Sequence, residues 1–472
     1  MRYLQVTQEP DGHWSQNMRL DGTPYWHGIQ MDETALPILL VDLAARHGVI
    51  DSSWRDGLWP MVRRAAAFLA RNGPVSPQDR GEEEPGYSPF TIATEIAALL
   101  VAADLADAAS NKTAADYLRE TADAWNASIE RWLYCSGTEL GHQHGVDGYY
   151  VRVAVPDRAD AASPCHGFVP IKNRPPDQAV GPAALMVSLD ALAFVRFGLR
   201  AADDPRIVNT VKVVDATLRV DTPRGPVWHR YQGDGYGEHA DGRPFDGTGV
   251  GRAWPLLTGE RAHYELAAGR RDVAKQLADA LEALGESGLL PEQVWDSADI
   301  PDRGLFIGHP SGSAMPLVWA HAEYVKLCRS LQEREVFDRP PQTVQRYLVE
   351  KVTSRHVIWR FNNKVRALRT TERTPGYDAR CTALLYQVND LRNVADDYQA
   401  RSHETKDLGG GHFELFSDAG AHELAFNERR STPSSRSSSR STARRDLMKG
   451  MTRRTSFARL RPTTASIRPS FT

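Results

Sequence analysis

An acidic loop stands directly ahead of a strongly apolar stretch. Glu82, Glu83 and Glu84 are consecutive, glycine and proline surround them, and the apolar stretch 90–103 follows. Like charges held together raise the pKa of at least one carboxyl group. A carboxyl group with a raised pKa can act as a general acid near neutral pH. The alternative is a solvated acidic loop that stabilises the N-terminus of the following helix.

A second candidate carboxylate, Glu292, lies between the apolar turn 288–291 and the indole of Trp295. Partial burial there would shift the pKa of the Glu292 carboxyl group. Two such carboxylates could serve as a general acid and a general base. The alternative for Glu292 is a loop residue that pairs with a surface base.

Three further loops combine indole and phenol rings with Arg, Asp and Gln. Aromatic faces stack on the apolar faces of sugar rings, and these polar side chains form hydrogen bonds with vicinal hydroxyls. Each loop alone could be structural, because a loop tryptophan commonly lies at the edge of a core. The three loops are 26–33, 230–238 and 251–255.

Motifs for other chemistries are weak. Gly233, Gly235 and Gly237 lie in a glycine-rich loop, but no βαβ unit surrounds them. Neither a Walker A motif nor a Gly-x-Ser-x-Gly elbow occurs. His142 and His144 lack a carboxylate at metal-ligand spacing. We therefore predict neither a metal site nor a cofactor.

Helical periodicity dominates the first 340 residues, and strand-like alternation is scarce there. Apolar residues recur every three to four positions, as in helices that pack on one side. This pattern predicts an all-α domain of helix pairs over 1–340. The predicted helices are 33–48, 57–72, 90–108, 113–134, 183–199, 203–217, 260–284 and 314–335.

The composition changes after about residue 340. We expect a short, partly irregular or β-rich appendage over 341–426. Ser, Thr, Arg and Pro dominate 427–472, which predicts a disordered tail. The formal net charge of −3 averages unlike regions, because 1–426 carries 45 basic against 58 acidic residues and the tail carries 12 against 2. The acidic body argues against nucleic acid as the partner of the main domain.

Four cysteines are widely spaced without a CxxC pair, and they indicate neither a zinc site nor a disulfide framework. We find no continuous apolar run of the roughly 18 residues that a membrane span needs. The first residues, MRYLQVTQEPDGHW, contain no apolar core of a signal peptide. Localisation and oligomeric state stay open.

Several long motifs resemble glycoside hydrolase family 15, the bacterial-type glucoamylases and glucodextranases. They occur in the family's order and cover roughly residues 5–330. The matching stretches are DGHWSQNMRLDGTPYWHGIQMDETALP, EEEPGYSPFTIATEIAAL, RGPVWHRYQGDGYGE, GVGRAWPLLTGERAHYELAAG, LLPEQVWD and PLVWAHAEYVKL.

This resemblance implies an (α/α)6 barrel and an exo-acting, inverting hydrolase that releases glucose from α-glucans without a cofactor. Glu82 would be the general acid and Glu292 the general base. Inversion requires the two carboxyl groups to face each other roughly 6.5–9.5 Å apart. The substrate-binding residues that the resemblance implies are Glu83, Trp26, Gln30, Asp32, Arg252, Trp254 and Trp319.

The chain departs from the family's pattern in three places. The family's barrel begins with an earlier helix pair and carries an N-terminal β-sandwich, so we expect a barrel incomplete at the N-terminus. Gly81 stands where the family has tryptophan beside the general acid. The appendage matches the family only in part. These departures leave two alternatives, a catalytically impaired glucan-binding relative and a trehalase-type hydrolase, and the linkage preference stays open.

Overall fold

The computed structural model describes residues 1–354 and the short segments 356–361, 364–370, 381–383, 406–409 and 412–414. The predicted disordered tail and much of the predicted appendage lie outside these residues. The α-helices are α1 Arg2–Thr7, α2 Met31–Arg46, α3 Ser52–Asn72, α4 Pro89–Ala108, α5 Lys112–Asn126, α6 Ile129–Leu133, α7 Glu139–Gln143, α8 Pro156–Ala161, α9 Ala193–Arg196, α10 Pro205–Leu218, α11 Pro255–Ala267, α12 Arg271–Ala283, α13 Val318–Glu333 and α14 Pro341–Thr343.

Before residue 340 short antiparallel strand pairs connect the helices, and these were not expected from the sequence; β9–β13 lie in the segment where a partly irregular or β-rich appendage was expected. The 3₁₀ turns are Ala183–Leu185, Leu189–Leu192 and Pro301–Arg303, and Val344–Val349 is a π-helix. The strands are β1 Asn17–Met18, β2 Pro24–Trp26, β3 Tyr134–Ser136, β4 Gly148–Tyr150, β5 Phe168–Pro170, β6 Val180–Pro182, β7 Arg219–Thr222, β8 Gly225–Trp228, β9 His356–Phe361, β10 Lys364–Thr370, β11 Cys381–Ala383, β12 Lys406–Gly409 and β13 His412–Glu414.

Inner and outer helices alternate along the chain. The inner helices pack on one another in the order α2, α4, α9, α11 and α13. Helices α3, α5 and α12 each pack outside the inner helix that precedes them, and α10 packs on the turn Leu189–Leu192. The segment after α13 returns to α2, where Gln342 donates to Asp42 and Phe337 contacts the ring of His47. This is the helix-pair architecture of an (α/α)6 barrel, as predicted.

The core lies between these two layers. The largest fully buried side chains include four indoles, which fill the junctions between helices and loops: Trp125, Trp132, Trp228 and Trp295. Helix α4 is long and apolar enough to cross a membrane by length and composition, and 83% of that stretch is buried against the rest of the chain. Such burial is expected of the central helix of a packed domain.

Three predicted helices are divided. Gly269 adopts φ 77° and ends α11, so 260–284 forms two helices. The predicted helix 113–134 stops at Asn126 and resumes at Ile129. The predicted helix 183–199 consists of short turns, because the Ser188 hydroxyl accepts the Asp190 N–H at 3.3 Å and starts a new turn there.

Candidate active site

A cavity of about 440 Å³ opens where the inner helices begin. The loops that lead into α4, α11 and α13 carry most of its residues, because these helices present their N-termini to the same end of the domain. The lining residues are Asp79, Arg80, Gly81, Glu82, Glu83, Arg152, Lys172, Asn173, Asp190, Arg230, Tyr231, Tyr236, Trp254, Leu256, Leu257, Glu292, Leu317 and Trp319.

Asp79 organises the acidic loop ahead of α4. Its Oδ1 accepts the backbone N–H groups of Gly81 at 3.0 Å and Glu83 at 3.1 Å, and its carbonyl accepts that of Glu82 at 2.9 Å. This tight turn holds Glu82 at φ 61°, a conformation that non-glycine residues rarely adopt. The Glu82 side chain is exposed at the cavity, where Asn17 Nδ2 lies 3.4 Å from its Oε1.

Glu83 points the opposite way, into a buried network of charges. Its carboxylate accepts Arg230 Nη2 at 2.7 Å, Arg152 Nη2 at 3.0 Å and the Tyr231 hydroxyl at 2.6 Å. Arg230 also pairs with Asp234 at 2.7 Å. Charge-assisted hydrogen bonds of this kind fix a side chain firmly. The network therefore holds three loops together behind the cavity.

Glu292 reaches the cavity from the loop that leads to α13. Its backbone N–H bonds the Ala314 carbonyl at 2.8 Å, which fixes this part of the loop. The Tyr236 hydroxyl donates to its Oε2 at 3.4 Å. Burial raises the pKa of the Glu292 carboxyl group, and hydrogen bonds from the Ala314 backbone and Tyr236 oppose that rise.

Arg80 lines the cavity from the acidic loop. Its guanidinium pairs with Asp190 at 2.5 Å and with Glu260 at 2.5 and 3.0 Å, and it lies 4.5 Å over the ring of Phe90. Because both carboxylates neutralise it, the cation can stay buried. Three leucines also line the cavity: Leu256, Leu257 and Leu317.

The structure brings five of the predicted site residues into this one cavity: Glu82, Glu83, Glu292, Trp254 and Trp319. The carboxylates that the sequence singled out, 210 positions apart, thus lie in one cavity. A pair of carboxyl groups at a cavity with aromatic and aliphatic walls can donate and accept protons around a bound sugar.

Four predicted binding residues do not line the cavity. Trp26 ends β2 and is 55% exposed. Gln30 is buried and donates to the Asp79 carbonyl at 2.5 Å. Asp32 is buried beside Thr91 at 2.9 Å, and burial raises its pKa to about 7. Arg252 is buried and forms hydrogen bonds with the Asp296 carboxylate and the Glu238 carbonyl. Their roles in substrate binding stay predictions, and the observed contacts of Gln30 and Arg252 support neighbouring loops.

Several lining residues were not predicted from the sequence. Arg230, Tyr231 and Tyr236 occur in the aromatic loop 230–238, so their residue types were a usable signal. Arg80 lies in the acidic loop, two positions before Glu82, so its position was also a usable signal. The others carry no local signal, because they come from distant and unremarkable segments: Arg152, Lys172, Asn173 and Asp190.

Metal-ligating groups do not cluster in the described part of the chain, where we find no set of three His, Cys, Asp or Glu side chains that could hold an ion. Cys135, Cys165 and Cys328 are free thiols.

The fold and this cavity define a helical-barrel protein whose acidic site lies at the beginnings of the inner helices. A model of the family described as glycosyl hydrolases family 15 matches residues 11–329. The chain therefore belongs to glycosyl hydrolase family 15.

Two relatives show how much of the chain is shared. A glucoamylase from Clostridium sp. (strain G0005) is 40% identical over 350 residues, which are 74% of this chain and 45% of that protein. The crystal structure of a bacterial glucoamylase complexed with acarbose is 39% identical with a TM-score of 0.65, over 74% of this chain and 47% of that one. The chain thus spans somewhat less than half the length of these relatives.

Proposed function

We propose that the protein hydrolyses α-glucosidic bonds and releases glucose from the non-reducing ends of α-glucans with inversion. The observation that carries this proposal is the presence of Glu82 and Glu292, from loops ahead of α4 and α13, in one cavity. The glucoamylase relative and the acarbose complex of a similar protein support the choice of substrate class.

In this mechanism the Glu82 carboxyl group protonates the glycosidic oxygen as the bond to the anomeric carbon breaks. The Glu292 carboxylate accepts a proton from the water that attacks the opposite face of the sugar. The hydrogen bond from Tyr236 favours the ionised form of Glu292, which is the form that a base requires. Electrons and protons balance, because water supplies the hydroxyl group of glucose and the leaving sugar receives the proton of Glu82.

Exo action is supported by the burial of the lining residues. Asp190, Leu256 and Leu257 are buried whereas Glu82 in the same cavity is exposed, so a glucan would enter by a chain end from the exposed side. The indoles of Trp254 and Trp319 line the cavity, and aromatic rings suit the apolar faces of glucose. The buried Glu83 network would hold the wall around the first sugar.

The test is glucose release from maltotriose by the purified chain, with the product anomer followed by NMR. Wild type should release β-glucose, and Glu82→Gln and Glu292→Gln should each lower kcat by at least about a hundredfold. Glu139→Gln, on the exposed start of α7, is the matched control and should keep full activity. Release of α-glucose would contradict inversion, and no release from folded wild type would refute the proposal.

A further inference from the structure

The hairpin of β5 and β6 carries a polar tip to the mouth of the cavity. Lys172 and Asn173 line the cavity, and Lys172 is exposed whereas Asn173 is half-buried. Arg152 and Asp190, which line the same cavity, are buried. The hairpin tip, residues 172–174, therefore lies at the open part of the cavity, where Glu82 is also exposed.

Hydrogen bonds to backbone groups fix the hairpin tip between two loops of the site. Lys172 Nζ donates to the Glu82 carbonyl at 2.8 Å. On the other side Arg174 donates to the carbonyls of Gly233 at 2.8 Å and Asp234 at 3.0 Å. The Asn173 carbonyl accepts the Gly249 N–H at 3.2 Å. A tip held at both sides can present its side chains in a fixed geometry.

Lys172 differs in charge pairing from the other cations that line the cavity. Arg80, Arg152 and Arg230 are each ion-paired with carboxylates. Among the described residues Lys172 forms no ion pair, and its hydrogen bond goes to a carbonyl. An ammonium group has three donors. Lys172 therefore has donors left for a ligand at the mouth.

We propose that Lys172 and Asn173 bind the sugar on the leaving-group side of the scissile bond and thereby set the preference for a glucosyl leaving group. This inference rests on the proposed function. The oxygen that Glu82 protonates joins the first sugar to the leaving one, and Lys172 is anchored on the carbonyl of Glu82 itself. The ammonium donates to hydroxyls of the leaving sugar, and the Asn173 amide both donates and accepts.

The experiment compares maltose with benzyl α-glucoside in Lys172→Met and Asn173→Ala. Both substrates need protonation of a poor leaving alcohol, but the benzyl group has no hydroxyls for the hairpin tip. The variants should lower kcat/KM for maltose about ten- to a hundredfold, the value of a hydrogen bond to a charged group. Hydrolysis of benzyl α-glucoside should stay at the wild-type rate.

Lys212→Met, on the exposed face of α10, is the matched control and should leave both substrates unchanged. Lys172→Arg keeps the charge and should recover part of the maltose activity. An equal loss on both substrates would show that Lys172 supports the Glu82 loop, and no loss on either would show that the tip binds nothing. Both results overturn the inference. Wild type inactive on both substrates would instead refute the proposed function, and the inference with it.

Discussion

The substitution Arg252→Met tests whether Arg252 stabilises the wall of the cavity or binds the sugar. The Arg252 side chain is 2% exposed and lies 4.0 Å over the ring of Trp295. It pairs with Asp296 at 2.8 Å and donates to the Ser297 hydroxyl and to the carbonyls of Glu238 and His239. All these partners belong to the protein, so we expect the substitution to act on stability.

The magnitude follows from what the substitution leaves behind. Removing one partner of a buried ion pair costs about 3–5 kcal/mol, because the other charge stays buried. The Asp296 side chain is 3% exposed, but in the variant it would still accept the hydrogen bond from the Ala253 N–H, which is 2.9 Å long. We therefore expect a cost of about 3 kcal/mol, near the lower end of that range. At roughly 2 °C per kcal/mol in a domain of this size, Tm should fall by about 6 °C.

The assay is thermal unfolding beside maltose kinetics at 25 °C. Arg243→Met is the matched control, because its ion pair with Asp241 is 57% exposed on both sides, and its Tm should not change. Arg252→Met with the Tm of wild type and a KM raised more than tenfold would refute the reasoning. In that case Arg252 would contact the sugar, as the family resemblance implied.

Two further predictions concern a buried carboxyl group and the hairpin tip. Burial raises the pKa of Glu33 from 4.5 to about 9, so the folded protein keeps a proton that the unfolded chain releases above pH 4.5. The contribution of Glu33 to the free energy of unfolding should therefore fall as the pH rises from 4.5 to 9. Glu33→Gln should gain stability relative to wild type from pH 5 to pH 8 in urea titrations. An equal difference between the two proteins at both pH values would contradict this. In Gly235→Ala the new Cβ would lie 2.1 Å from the Asn173 carbonyl oxygen, which displaces the hairpin tip. Activity on maltose should drop more than activity on benzyl α-glucoside, and equal activities would count against a fixed tip.

The sequence predicted a helix best where the chain is apolar along its whole length. Helix α4 was expected over 90–108 and spans Pro89–Ala108. The prediction from periodicity was wrong for the helix 260–284. There the apolar periodicity continues across Gly269, although the backbone changes direction at that residue. Periodicity reports which positions are buried, and it does not report a local change of backbone direction.

Glu82 could be named from the sequence because clustered carboxylates beside glycine and proline are unusual, and Glu292 because it lies between an apolar turn and an indole. By itself the sequence determined the helical class, the family resemblance and the two acidic loops. Which side chains share the cavity was decided by tertiary structure alone. Lys172 contacts Glu82 and Asp190 contacts Arg80 only because the β5–β6 hairpin and the turn Leu189–Leu192 lie against the loop before α4.

Arg252 and Trp254 illustrate the same limit at close range. They are two positions apart in one motif, yet Trp254 lines the cavity while Arg252 turns into the wall toward Asp296. Residue type and spacing fix what a side chain can bind. The direction in which it points depends on buried partners that are distant in the sequence, and only the packed structure brings those partners together.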